Sequence, residues 1–461
     1  MRIKLGAPIK PSELCSLFGS PIPAFDAPIS FISTDSRTAL NGDLFVALPG
    51  EHASGEEYVG EAIEKGAIPL TVSRSAPGIH VKDVREAMLR MAEHHISKLS
   101  QLKHRICITG SVGKTTTKEF LSALLGTTYR THSTYQNFNN ALGASLTVLQ
   151  APEDTEALVL ELGSNHHGEI SFLSSFLHPS LSIITNIGTS HIGNLGSKEL
   201  IAREKLGILD GMSKPRLICE YGETLFNGIK EKITVSCECR SADFYLLPIK
   251  EDIDGTTFDL FSGKEIISNL RFSIPGRHML ASLAMAIAAS VDVGISQEKI
   301  RAGVGMLGNE HIRHRLLKME DYVIFDDSYN ASRESILADF KLLELYRGRP
   351  RSALIGDVLE LGGKTEDIHR EIGACARRYG FERLYLFGAY SMFTALGAIE
   401  SGMPEDRIFI NSDLNDPALT AKQICMNHEP GEIILFKASH RVNLKRVIDI
   451  LSTTRGESYD R

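Results

Sequence analysis

No stretch of the sequence approaches the ~18 consecutive apolar residues that a membrane-spanning helix needs, and the N-terminus carries no apolar core of signal-peptide length. The chain is therefore expected to be soluble, without a membrane partner, and to stay in the cytoplasm where it is made. An excess of charge of one sign is also missing: 50 Lys and Arg against 57 Asp and Glu leave a formal net charge of -7 over 461 residues. That balance supplies neither the basic face that nucleic acid requires nor attraction to an anionic membrane surface. Cysteines are few and odd in number, at positions 15, 107, 219, 237, 239, 375 and 425. Cys237-x-Cys239 has no second pair nearby, so it reads as strand filler rather than a zinc site, and a reducing compartment fits.

What is present is enough chain for more than one core, and the length suggests about three domains. The expected ranges are 1–102, 103–311 and 312–461. Alternating strand and helix patterns make the protein α/β, with a central P-loop domain built on a mostly parallel sheet. A small N-terminal α/β domain and a C-terminal Rossmann-like α/β domain flank it. The polar segment 98–105 reads as a linker, and 213–271 as a mixture of helix and strand. In the last domain strands are expected at 322–325, 352–355, 384–387, 407–410 and 433–436.

The rest is organised around Thr109-Gly110-Ser111-Val112-Gly113-Lys114-Thr115-Thr116-Thr117, which follows the β-branched run Ile106-Cys107-Ile108. Gly110 and Gly113 let the backbone turn tightly enough to aim several N–H groups at one anion, and the helix N-terminus behind them adds its positive dipole end. Lys114 supplies a point charge for β- and γ-phosphates, and the Thr115 hydroxyl can complete a magnesium shell. The spacing G-x-x-G-K-T is shorter than the usual G-x-x-x-x-G-K-[ST]. The context is nevertheless the required one: a buried strand before, and after it a helix with Phe120, Leu121, Leu124 and Leu125 on one face. The expected cofactors are ATP and one or two magnesium ions.

Further signals follow in order. Ala157-Leu-Val-Leu160 delivers Glu161 to a strand's C-terminal end, where ligands of open α/β sheets gather, within reach of a metal held by Thr115. Asn137, Asn139 and Asn140 place three amides in one loop, either to read a substrate or as a turn-rich connection. His191, after Asn186-Ile-Gly188, is a candidate metal ligand or a hydrogen-bonded loop histidine. In the helix capped by Ser197, Lys205 falls on the apolar stripe of Leu200, Ile201, Ile208 and Leu209. Such a lysine must snorkel out, pair with Glu204 or another acid, or lose its charge, and the neutral amine is the form that takes up carbon dioxide as a carbamate. His278 opens a long apolar helix, where it can touch a base or ribose or simply begin the helix. Arg315, Asp326, Asp327, Tyr329 and Asn330 lie near the start of the last domain, and Asp357, Glu360, Lys437 and Ser439 at its strand ends. In the first domain Asp35-Ser36-Arg37 offers phosphate- or carboxylate-gripping donors, or a solvated turn held by Asp35 and Arg37.

This order of motifs resembles the Mur ligase family of peptidoglycan synthesis over nearly the whole chain. Asp35-Ser36-Arg37 with Gly42-Asp43-Leu-Phe45 is similar to the family's uridine-nucleotide domain, and the glycine loop to its ATP loop. Asn137-x-Asn139-Asn140-x-x-Gly143 and Asn186-Ile-Gly188-x-x-His191 follow in register. Asp326-Asp-Ser-Tyr-Asn-Ala331 and Gly356-Asp-Val-Leu-Glu-Leu-Gly362 with His369 resemble the branch that adds D-alanyl-D-alanine to UDP-N-acetylmuramoyl-tripeptide. Single-amino-acid ligases and folylpolyglutamate synthases usually carry Asp-x-Ala-His-Asn-Pro at the first place.

The resemblance implies an ATP-dependent amide ligase working through an acyl phosphate, as a monomer. By it Gly110, Ser111, Val112, Gly113, Lys114, Thr115 and Thr116 hold phosphates and magnesium, Glu161 and His191 serve metal ions, and Lys205 carries a carbamate. Arg315 approaches the γ-phosphate, and His278, Asp327 and Asn330 serve the nucleoside. Ser36, Arg37, Asn137, Asn139, Asn140, Asp357, Lys437 and Ser439 face the substrates. The chain departs from the family pattern at Met279 and Ser282, where asparagines are expected, at Ser332-Arg333, at Lys437-Ala-Ser-His440 and at Lys445. A related ligase with another acceptor, and an ATP-binding switch module that forms no bond, are the competing readings.

Overall fold

In the computed structural model, which describes all residues except 22–25, 51–52, 264, 313 and 455–461, the alternating pattern builds three sheets of five, nine and six strands. The first runs Arg2–Ile9, Ile29–Ser33, Leu44–Val46, Ile68–Thr71 and Ile79–His80, antiparallel at its first pair and parallel thereafter. Ile3, Leu5, Ala7 and Ile9 alternate into its core. The helix Val84–Lys98, capped by Asp83 accepting the Glu86 N–H at 2.8 Å, lays Met88, Met91 and Ala92 over that core. It also packs on the helix Ala141–Leu149 of the next unit. The expected linker is correspondingly short: the helix reaches Lys98, a strand begins at His104, and Leu99 between them is buried.

The nine-stranded sheet has the glycine-loop strand His104–Thr109 in its interior, between Ala157–Glu161 and Leu181–Ile184, all parallel. These strands are covered on both faces and so read as unbroken apolar runs rather than alternating ones. Their C-terminal ends bring Thr109, Glu161 and Thr185 to one edge, where strand order reverses. The helix Lys114–Gly126 is anchored by Phe120, Leu121, Leu124 and Leu125, each fully buried; burying such a side chain contributes about 1.5–3 kcal/mol.

The described residues of 213–271 contain no α-helix; they continue the sheet through Leu217–Glu220, Lys232–Ser236 and Phe244–Asp252 into the antiparallel strands Gly255–Ser262 and Glu265–Phe272. Period-two burial along Gly255–Ser262 and the two-residue turn Ile253-Asp254 decide for strand over helix. Ser197 caps the helix Lys198–Leu206 as expected, accepting the Leu200 N–H, and Ile201 and Ile208 are buried. Leu200 instead faces solvent, 40% exposed.

The third sheet runs Arg315–Lys318, Val323–Asp326, Ile433–Lys437, Arg351–Gly356, Arg383–Phe387 and Ile408–Asn411. Its first pair is antiparallel and the rest parallel. The five expected strands stand within a residue of their predicted ends, and Arg315–Lys318 is an added edge strand.

Candidate active site

The glycine loop owes its shape to neighbours as much as to its own residues. Gly110 has φ 142°, and a Cβ there would lie 1.9 Å from Thr185 Oγ1, so only glycine fits. The Ser111 and Val112 N–H groups donate to the main-chain and side-chain oxygens of Asn186 at 3.1 and 2.9 Å, and Ser111 Oγ accepts the Gly188 N–H. Asn186, whose motif the sequence showed without giving it a role, is thus the loop's brace. Lys114 Nζ donates to the carbonyls of Gly110 and Ser111 at 2.7 and 3.3 Å. Thr115 Oγ1 donates to Glu161 at 2.7 Å, and Asn139 Nδ2 holds the other Glu161 oxygen at 2.9 Å. Glu161, 2% exposed, ends its strand as the apolar run predicted. The Thr115 hydroxyl and the Glu161 carboxylate are hard oxygen donors suited to magnesium.

Lys205 is 2% exposed and donates to Ser164 Oγ at 2.9 Å. Burial, reinforced by the Lys114 charge, lowers its amine to about 7. Glu204 is not its hydrogen-bond partner: it accepts the Gly168 and Ile170 N–H groups at 2.5 and 2.9 Å, serving the helix Glu169–Leu177. Adjacent helix residues point in different directions, which separates the two.

His191 has φ 61° and its Nδ1 pairs with Glu360 of the third sheet's unit. Burial, with Lys114 and Lys205 nearby, keeps the imidazole below its usual range. The same seam carries Glu334, which accepts the Thr189 N–H and hydroxyl at 3.0 and 3.1 Å. The Gly193 N–H donates to the Glu360 carbonyl at 2.9 Å, and a Cβ on Gly193 would lie 2.6 Å from the Gly362 nitrogen. Among the described residues no three His, Cys, Asp or Glu side chains converge as a metal-ligand set; His191 and the Thr115–Glu161 pair line the same cleft.

On the opposite wall Lys437 Nζ pairs with Asp327 and, at 2.9 Å, with Asp339. Asn330 Oδ1 accepts the His440 N–H, and Ser439 Oγ accepts the Leu359 N–H. His278 and His314 are held neutral, at about 3 and about 4, by burial and then by neighbouring positive charge. These groups, the glycine loop, Lys205 and His191 line one cleft of about 1380 Å³, into which the N-terminal unit sends Leu48, Pro49 and Arg85.

Several expected site residues lie elsewhere. Ser36 donates to Glu61 at 2.6 Å, and Arg37, 82% exposed, is folded onto Asp35; neither lines the cleft. Asn140 lines the cleft, and its side-chain oxygen caps the helix Ala141–Leu149 through the Gly143 N–H; it and Asn137 are both exposed. Arg315 pairs with Asp326 at 3.2 Å and lines a neighbouring groove of about 1350 Å³ that also reaches Thr115 and Thr116. Asp357 is 3% exposed, with its oxygens taken by the Ala389 and Tyr390 N–H groups, both at 2.9 Å. It holds the start of the helix Ser391–Glu400 rather than a substrate. His369, in the same motif, is buried and bonded to Val358 and Thr365. Asp357→Asn is expected to lower stability by about 1–2 kcal/mol on thermal melting, because an amide offers one acceptor for two donors, with KM values unchanged.

Residues 108–290 match the model of the Mur ligase middle domain, and residues 28–96 that of the Mur ligase family catalytic domain. The UDP-N-acetylmuramoyl-tripeptide--D-alanyl-D-alanine ligase of Bacillus subtilis is 34% identical over 90% of this chain and 92% of its own. The Escherichia coli ligase of the same name is 30% identical over 84% of this chain and 88% of its own. A crystal structure of MurF from Acinetobacter baumannii superposes with a TM-score of 0.87 at 24% identity, covering 98% of this chain and 100% of that one. MurF from Thermotoga maritima in complex with ADP gives 0.80 at 22% identity, covering 92% and 97%. Matched across its first two units and by full-length relatives, the chain belongs to the Mur ligase family.

Proposed function

We propose that this protein joins D-alanyl-D-alanine to UDP-N-acetylmuramoyl-tripeptide in peptidoglycan precursor synthesis, with ATP converted to ADP and phosphate. The observation that carries the reading is that relatives named for this reaction match 84–92% of the chain; one cleft lined by all three units supports it.

The tripeptide carboxylate attacks the γ-phosphate, and both are anions. Lys114 and the helix N-terminus offset that repulsion, and a magnesium ion bound by Thr115 and Glu161 would neutralise further phosphate charge. The resulting acyl phosphate is attacked by the dipeptide amine through a tetrahedral intermediate, and phosphate leaves. The seam at His191–Glu360 and Thr189–Glu334 brings the third unit over the cleft, which excludes water from the acyl phosphate. Lys205 is read as carbamylated: its neutral amine adds carbon dioxide and releases a proton, turning a buried uncharged amine into an anion. Arg85, exposed in the cleft and missed in the sequence because it sits in an ordinary polar first turn, is a candidate grip for the anionic peptide substrate. The uridine end is assigned to the Ser36–Arg37 turn by family resemblance alone.

The test is ADP release. It should require both UDP-N-acetylmuramoyl-tripeptide and D-alanyl-D-alanine; turnover indifferent to the dipeptide defeats the assignment.

A further inference from the structure

A strap of chain, residues 185–190, touches both the glycine loop and the third unit. Thr185 Oγ1 donates to the Val112 carbonyl, Asn186 accepts the Ser111 and Val112 N–H groups, and the Gly188 N–H donates to Ser111 Oγ at 2.9 Å. One residue further on, both donors leave the middle unit: the Thr189 N–H and hydroxyl go to the two carboxylate oxygens of Glu334 at 3.0 and 3.1 Å. The strap thus holds the phosphate loop with one side and the third unit with the other.

Glu334 stands in the first turn of the helix Arg333–Leu343, where an acid ordinarily serves the helix's own N–H groups. Ser332 Oγ already caps that end, accepting the Ser335 N–H at 3.2 Å, so the Glu334 carboxylate is spared for the strap. Arg333 pairs with Glu371 of the helix Thr365–Arg378 at 2.6 Å, which ties this helix start to the body of the third unit. Gly188 is an independent sign that the contact is built. Its backbone lies outside the left-handed region that favours glycine, yet a Cβ there would stand 2.8 Å from the Glu334 carboxyl carbon. The missing side chain makes room for the carboxylate rather than for a turn.

We propose that Glu334 is a positioning residue that ties the seating of the triphosphate to closure of the third unit, so that the acyl phosphate forms in a cleft already shut to water. The assignment rests on the ligase reading above and deepens it. Phosphate on the loop fixes Ser111, Ser111 fixes the Gly188 N–H, and the next N–H along fixes Glu334. Hydrogen bonds to a carboxylate are stronger than those between neutral groups. Without them the acyl phosphate still forms, but water reaches it before the amine does.

The first measurement is ADP released against amide bond formed by the full-length protein with both substrates saturating. The unaltered protein and Thr189→Ser, which keeps both donors, should give equal amounts. Glu334→Ala and Gly188→Ala, the second of which removes no polar group, should each release about 10-fold or more ADP per bond, the scale of a lost hydrogen bond to a charged group. The second measurement, amide hydrogen exchange with a non-hydrolysable ATP analogue, needs no ligation. The analogue should slow exchange in the glycine loop and in the helix Arg333–Leu343 of the unaltered protein, but in the loop alone of Glu334→Ala. Equal ADP and amide in both alanine variants, however slow, overturns the proposal and leaves Glu334 a structural prop. So does protection that still reaches the helix in Glu334→Ala, or a Glu334→Ala protein from which ATP no longer displaces a fluorescent analogue, which would place the residue in nucleotide binding itself. An unaltered protein that forms no amide ends the ligase reading, and exchange then still decides whether Glu334 couples loop to helix.

Discussion

Lys205→Ala is expected to depress ligation by about 100- to 1,000-fold, the scale on which loss of one preorganised charge is felt in a transition state. Added bicarbonate should give no recovery, and nucleotide displacement should stay within a few-fold of the unaltered protein. The unaltered protein should behave differently. Its amine is lowered to about 7 by burial and by Lys114, so above that pH the amine is largely neutral and able to take up carbon dioxide, and below it protonated and unable. In bicarbonate-depleted buffer, restoring bicarbonate should therefore raise activity at pH 8 and do so less at pH 6. Near-normal ligation by Lys205→Ala would reduce the residue to a buried amine bonded to Ser164.

Glu161→Gln should cost at least about 100-fold in kcat while the protein melts within a few degrees of the original. Glu161 accepts from both Thr115 and Asn139, at 2.7 and 2.9 Å. A glutamine keeps one acceptor, which the Asn139 NH2 must claim, and so presents its own NH2 to the Thr115 hydroxyl. That reversal removes a negative charge and puts a donor where a cation would bind, with no change in volume. Raising magnesium should recover little of the loss. A variant with unaltered magnesium dependence and kcat would make Glu161 a structural partner of the Lys114–Gly126 helix.

Residues whose chemistry follows from their own neighbourhood in the chain were readable beforehand. The apolar run into Glu161, the glycine spacing before Lys114 and the stripe carrying Lys205 are local patterns, and each marks a side chain that lines the cleft. Less readable were polar residues whose backbone partners only the fold supplies. Asp357 and Asn140 accept N–H groups at helix starts, whereas the pairing of Arg37 with Asp35 is local and was open to the sequence as a solvated turn. Contacts between units were invisible, because Glu334 reaches Thr189 across 145 residues and Glu360 reaches His191 across 169.

The backbone contact between Gly193 and Gly362 bears on fidelity. With no side chain interposed, it acts as a mechanical stop, so the room left between the two lobes is set by the chain and not by whatever it holds. An acceptor one residue too short would leave a gap that solvent can enter. The cost of the wrong acceptor would then surface as futile ADP release rather than as weak binding, and a valine at position 193 would wedge the lobes apart and leak in the same way even with the correct dipeptide.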